Sequence, residues 1–345
     1  MYNGSEDAQS TLPSGRDAEK GREEEKNVAN FVTLCALSMG EPDFGGLPKS
    51  FSAYEKEIRA HLARAIDGAL CHAPDLIVLP ECSSRYTLGQ SAPPAAELGE
   101  YYRYLAGRME DFLLTVAKKE GVNIAYSAIR YAACGAEHPF RNSTVYLGRS
   151  GAVMGTYDKN HLVLNEYEEE GVAYGTAAEL VSLDFGSVAT AICFDLNFEE
   201  LLQKYASKRP DLVVFSSMYH GGLQQSHWAY GCRCHFVGAV CGQQSTVLDP
   251  CGDVIAASSN YTDSIAARVN LDCCLCHLDH HFGKIAAAKE KYKTALTVKV
   301  PSYLGCALLT SNDPDLTVWD IMREFEIRPL DAYLDACRAH RAARI

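Results

Sequence analysis

Apolar positions along this chain follow two rhythms. Leu76-Ile-Val-Leu79, Val188-Ala-Thr-Ala-Ile192 and Leu212-Val-Val-Phe215 are short, continuous runs of the kind that form strands buried on both faces. Phe31–Leu37 suits a first strand. Between Phe31–Leu37 and Leu76–Leu79, Phe51, Tyr54, Ile58, Leu62, Ala65, Ile66 and Ala69 recur at helical spacing. Pro48 and Ser50 mark that helix's start, and Ala73-Pro-Asp75 its end.

Further along, the Pro- and Ala-rich residues 91–100 predict a loop into a helix over 101–119, stopped by Gly121. Strands follow over Asn123–Ile129 and Asn142–Leu147, and Gly148-Arg-Ser-Gly151 turns the chain into a returning strand, Ala152–Tyr157. Leu180–Leu183 pairs with Val188–Ile192 across Phe185-Gly186, and Glu199–Ala206 is helical. Trp228–His235 reads as a helix. Val237–Val240, Ser245–Asp249, Val254–Ala257 and Ile265–Val269 read as short strands. Beyond Asp272 the pattern turns helical and then irregular. Alternation of strands and helices with inserted hairpins predicts an α/β fold with a mixed sheet core and no internal repeat.

Composition narrows the function classes. The 345 residues are 47% hydrophobic and 22% charged, as in ordinary soluble domains. With 32 basic and 44 acidic side chains the net charge is −12, which argues against nucleic acid or an anionic membrane as partner. No apolar run approaches the roughly 20 residues that span a bilayer. Residues 1–27 are polar, lack the apolar segment of a signal peptide, and are expected to be a disordered tail. The 14 cysteines are then expected to stay reduced, in a cytoplasmic protein.

Three polar residues interrupt the ends of apolar strands: Glu81, Lys159 and Cys193. Neighbouring strand ends in such a sheet converge on one crevice. A carboxylate can take a thiol proton, an ammonium can stabilise an oxyanion, and a thiolate can attack a carbonyl or nitrile carbon. Cys193 ends its strand at a turn whose backbone N–H groups can face a developing anion, which makes it the candidate nucleophile. Each residue also has an inert reading: a loop carboxylate, a solvated hairpin lysine, a buried thiol.

Leu79-Pro-Glu81, Asp158-Lys-Asn-His-Leu162 and Ile192-Cys-Phe-Asp195, in that order, resemble the Glu, Lys and Cys motifs of the nitrilase (carbon–nitrogen hydrolase) superfamily. Asn142-Ser-Thr-Val145 and Ser245-Thr-Val-Leu-Asp-Pro-Cys-Gly252 fit the same resemblance, which covers roughly residues 28–272 and leaves 273–345 as a C-terminal extension. It implies a four-layer α-β-β-α sandwich, a homodimer or higher homo-oligomer built through outer helices, and hydrolysis of a non-peptide C–N bond in a small amide without metal or other cofactor. Within it, Glu81 is the general base, Lys159 the oxyanion-stabilising cation and Cys193 the nucleophile. The backbone N–H of Phe194 completes the oxyanion hole. Glu166 matches a second glutamate that positions substrate or Lys159. Tyr219 and His220, after the Leu212–Phe215 strand, are expected to line the substrate pocket. Where many amidases of the family carry Arg and Pro after the cysteine, this chain has Asn197 and Glu199.

Nitrile or N-carbamoyl hydrolysis and acyl transfer use the same three residues, and a non-catalytic binding protein could share the scaffold. Cys232-x-Cys-His235 and Cys273-Cys-x-Cys-His277, with His280 and His281, have gaps shorter than structural zinc pairs, so buried thiols are expected there rather than a metal. His161 is expected to be a structural hydrogen-bonding residue, Asp195 to fix the Cys193 turn, and Arg233 to form an internal ion pair. The C-terminal extension is expected to pack across a dimer or shape the pocket.

Overall fold

The computed structural model describes residues 29–40, 50–87, 93–133 and 135–345. The tail expected over 1–27 lies outside the described residues. In chain order the elements are β1 (Phe31–Leu37), α1 (Phe51–Leu70), β2 (Leu76–Val78), α2 (Ala95–Leu105), α3 (Arg108–Glu120), β3 (Asn123–Tyr131), β4 (Phe140–Leu147), β5 (Val153–Asp158), α4 (Leu164–Glu168), β6 (Val181–Leu183) and β7 (Gly186–Ile192). There follow α5 (Glu199–Lys208), β8 (Leu212–Ser217), α6 (Leu223–Cys232), β9 (His235–Val240), β10 (Thr246–Leu248), β11 (Val254–Ala257) and β12 (Ser264–Asn270). The chain ends in β13 (Cys273–His277), α7 (Phe282–Tyr292), β14 (Leu296–Lys299), β15 (Cys306–Ser311), α8 (Val318–Glu324) and α9 (Leu330–Ala342).

Two six-stranded sheets form the core, ordered β12-β1-β2-β3-β4-β5 and β11-β10-β9-β8-β7-β6. The strand pleat sends alternate side chains to opposite faces. Leu34, Leu76 and Val78 of one sheet meet Val188, Leu212 and Val214 of the other in an inner layer. Their neighbours Cys35, Ile77 and Ile124 point outward onto α1 residues Ile58, Leu62 and Ile66. On the second sheet, Ala189, Val213 and Phe215 point outward onto Leu201 and Tyr205 of α5 and Trp228 of α6. Continuous apolar strands are thus covered on both faces, and the result is an α-β-β-α sandwich. Among the described residues no helix is long and apolar enough to cross a membrane.

Several boundaries differ from the sequence expectation. The loop expected over 91–100 gives way to helix at Ala95, and the expected single helix over 101–119 is two, broken where Gly107 takes φ +76°. Alanines at 95 and 96 favour helix, and the left-handed glycine starts a new axis. The helix expected over Trp228–His235 runs instead from Leu223 to Cys232. Arg233 ends it in a left-handed conformation, and His235 opens β9. Past Asp272 the chain is not irregular: β13, β15 and β14 form a third sheet, with α8 and α9 after it. Leu275, Cys306 and Leu330 from this segment pack with Cys251 and Tyr230 of the core. Arg233 pairs with Asp331 of α9 at 3.1 Å, the internal ion pair expected for it.

Candidate active site

Cys193 leaves the end of β7 with φ +48°, a left-handed conformation that a side-chain-bearing residue adopts at a cost of order 1–3 kcal/mol. A single 3-10 turn, Cys193–Asn197, follows. The buried Asp195 carboxylate holds that turn together. It accepts the Ile192 N–H at 3.1 Å, the His161 N–H at 2.8 Å and the Tyr157 hydroxyl at 2.7 Å. His161 Nδ1 lies 3.0 Å from the same carboxylate, and its ring stacks on Phe198 at 3.8 Å. Both residues therefore have the structural parts expected of them, and they tie the end of β5 to the cysteine turn.

Lys159 follows β5 directly. Its backbone N–H donates to the Asn142 carbonyl at 2.8 Å, and its own carbonyl accepts from Gly175 at 2.7 Å. A side chain at Gly175 would place its Cβ 2.1 Å from the Asp158 carbonyl oxygen, so only glycine allows this approach. The Lys159 ammonium is 2% exposed and lies 3.0 Å from Glu81 Oε1 and 2.8 Å from Glu166 Oε2. Burial opposes its charge, but the Glu81 and Glu166 carboxylates outweigh burial and hold the ammonium well above the ordinary lysine value.

Glu81 comes from the turn after β2. Its Oε2 accepts the Met218 N–H at 3.1 Å, from the end of β8. The Asn142 side-chain amide donates one hydrogen to Glu81 Oε1 at 2.9 Å and the other to Glu166 Oε1 at 2.8 Å. Glu166 also accepts the Val163 N–H at 2.9 Å, which locks its short helix, α4. The Cys193 thiol lies where Glu81, Lys159 and the Met218 N–H all act on it. Burial first and the Glu81 charge second push the thiol up to about 12, against Lys159 and the Met218 N–H.

The structure therefore brings Glu81, Lys159, Glu166 and Cys193 together. Tyr219 stands beside them: its hydroxyl accepts from Asn197 at 3.1 Å, and its neighbour Met218 touches Glu81. Phe194 packs edge-on against Phe198 with ring centres 5.2 Å apart. His220 is engaged in its own loop, where Nδ1 accepts the Gly222 N–H at 3.1 Å. The sequence pattern marks Asn142 only as part of a flanking motif and gives no sign of its bridge between two carboxylates. Gly175 carries no sequence signal, because its constraint is a backbone approach from a distant strand. Among the described residues no three His, Cys, Asp or Glu side chains gather as a metal-ion set.

Outer helices over two facing sheets, with a buried lysine between two glutamates next to a cysteine at a strand end, define the carbon–nitrogen hydrolase class. A model of the carbon–nitrogen hydrolase family matches residues 46–274, and the chain belongs to that family. It is similar to omega-amidase NIT2-A of Xenopus laevis, with 24% identity over 221 residues, 57% of this chain and 76% of that protein. It is also similar to deaminated glutathione amidase of Mus musculus, with 28% identity over 155 residues, 38% of this chain and 48% of that protein. Among solved structures, Saccharomyces cerevisiae Nit3, a member of branch 10 of the nitrilase superfamily, shares the fold. Its TM-score is 0.57 at 16% identity, covering 78% of this chain and 97% of that one.

Proposed function

We propose that the protein hydrolyses a small amide through a thioester on Cys193, with Glu81 and Lys159 as its catalytic partners. The observation that carries this reading is the buried Lys159 ammonium, 3.0 Å from Glu81 and 2.8 Å from Glu166, beside a thiol that feels the Glu81 and Lys159 charges. A thiol held up to about 12 is protonated at neutral pH, so attack requires a base in contact with it.

Glu81 takes the thiol proton as sulfur bonds to the carbonyl carbon. The carbonyl oxygen becomes an anion, stabilised by Lys159 and the Phe194 N–H. Collapse breaks the C–N bond, and Glu81 returns the proton to the leaving nitrogen, releasing ammonia or an amine. Water then attacks the thioester and gives its proton to Glu81. Collapse releases the acid, and the proton returns to sulfur. Glu166 keeps Lys159 charged and aimed. The similar proteins from Xenopus laevis and Mus musculus are both amidases, which supports an amide over a nitrile or N-carbamoyl substrate.

The same reading takes residues 28–272 as the hydrolase domain and 273–345 as an extension packed on it. It places a homodimer in the cytoplasm. Ammonia release from a panel of small amides, N-carbamoyl compounds and matched nitriles tests it, with Cys193→Ala as baseline. Amide turnover that vanishes in the variant is the expected result; nitrile turnover alone would replace the reading.

A further inference from the structure

Asn197 lies four residues after Cys193, at the end of the same turn, and Tyr219 follows the residue whose N–H contacts Glu81. The two side chains meet beside the turn that carries the cysteine. Asn197 Nδ2 donates to the Phe194 carbonyl at 3.1 Å and to the Tyr219 hydroxyl oxygen at 3.1 Å. The carbonyl can only accept, so it fixes which end of the Asn197 amide faces inward. The Tyr219 oxygen is therefore an acceptor toward Asn197, and its own proton is turned away from that partner. The backbone of Tyr219 is pinned as well, since its N–H donates to Ser217 Oγ at 2.9 Å. Its half-buried ring packs against Phe215, with centres 6.3 Å apart. Burial raises the phenol, which feels Cys193, Lys159 and Glu81. It therefore stays protonated at neutral pH, as a donor close to the reacting thiol.

The charge around this donor is unfavourable for an anion. Lys159, the cation facing the thiol, is flanked by Glu81 and Glu166. Glu199 and Glu200 occupy the first turn of α5, just past Asn197. The whole chain carries −12.

We infer that Asn197 and Tyr219 form a neutral hydrogen-bonding clamp for the acyl side of the substrate, selecting an uncharged acyl group that carries an oxygen acceptor over a carboxylate or a plain alkyl chain. This rests on the amide-hydrolysis reading and names its substrate class. Tyr219 donates to the acyl oxygen, and Asn197 positions Tyr219. A single well-aimed neutral hydrogen bond discriminates by up to about tenfold.

The test compares methyl succinamate, which has a neutral ester oxygen, with pentanamide and with succinamic acid. Wild-type protein is expected to show kcat/KM about tenfold higher for the ester than for either other amide. Tyr219→Phe should bring the ester-to-pentanamide ratio to about one, mainly through KM. Asn197→Ala should lower the same ratio severalfold. A merely structural role would depress both amides together and leave the ratio in place, which would overturn the inference. Equal or faster turnover of succinamic acid would overturn it too, while the hydrolysis reading stood. Calorimetric binding of the three amides to Cys193→Ala separates the two claims. Preferential ester binding without turnover of any compound by the wild type would keep the clamp and remove the reaction. Equal binding of all three would remove the clamp.

Discussion

The Asn142 amide nitrogen lies 2.9 Å from Glu81 Oε1 and donates its other hydrogen to Glu166, 2.8 Å away. One neutral side chain thus spaces two buried carboxylates that share one lysine. The arrangement leaves each carboxylate with fixed donors and keeps the two like charges from sharing a proton. Asn142→Ala removes both hydrogen bonds to charged acceptors, each worth about 1.5–3 kcal/mol. The variant is expected to turn over substrate at least about tenfold more slowly, with a smaller change in KM, and to melt at a lower temperature. Steady-state kinetics with thermal unfolding checks both.

Lys159 matters to the fold as well as to the reaction. Lys159→Met fills a similar volume but leaves Glu81 and Glu166 buried without their cation. Breaking a buried pair in this way costs about 3–5 kcal/mol. The double variant Lys159→Met, Glu166→Gln should recover part of that stability while staying inactive. Denaturant unfolding of both variants measures the recovery; none at all would mean that Glu166 is not coupled to Lys159.

The Cys193 thiol is pushed up to about 12 by burial first and by the Glu81 charge second, while Lys159 and the Met218 N–H pull it down. Removing the Glu81 charge in Glu81→Gln leaves the two lowering influences in place. Alkylation of Cys193 by iodoacetamide, followed by peptide mass spectrometry, should then rise at lower pH in the variant than in the wild type. Turnover should be lost in the same variant, because the base is gone. A more acidic thiol in a less active protein is the signature expected of a general base.

A fourth prediction concerns stability. His235, in β9 between β8 and β10, is brought down to about 4 by burial, which Asp249 only partly opposes. Its folded value lies below the unfolded value of about 6.5. Between those values the unfolded chain binds the extra proton, so stability falls as pH drops from about 6.5 toward 4, by roughly 3 kcal/mol in all. His235→Leu should flatten this limb. Melting temperatures from pH 7 to 4 provide the check.

Much of the fold was legible because both sheets are buried on two faces. Runs such as Leu76–Leu79 and Leu212–Phe215 have no exposed face, and only strands under helical layers tolerate that. The candidate catalytic set was legible because Glu81 and Cys193 break such runs at their ends and Lys159 follows the returning strand of a hairpin. Two features were not. The third sheet was hidden because β13, β14 and β15 are short, and the register of Cys273 against Thr310 spans a connection containing a whole helix. Asn142 was hidden because its role depends on two carboxylates, 61 residues before it and 24 after it. Local pattern shows which residues are polar at strand ends, and only packing shows which of them meet.

The thioester is the central claim, and intact-protein mass spectrometry tests it most directly. Protein mixed with an amide that it turns over, then quenched in acid within the steady state, should gain the mass of the acyl group with loss of the leaving amine. Peptide mapping should place that mass on Cys193, and Cys193→Ala should neither gain it nor turn over the amide. Turnover retained by Cys193→Ala, or an acyl group carried on another residue, would contradict the account.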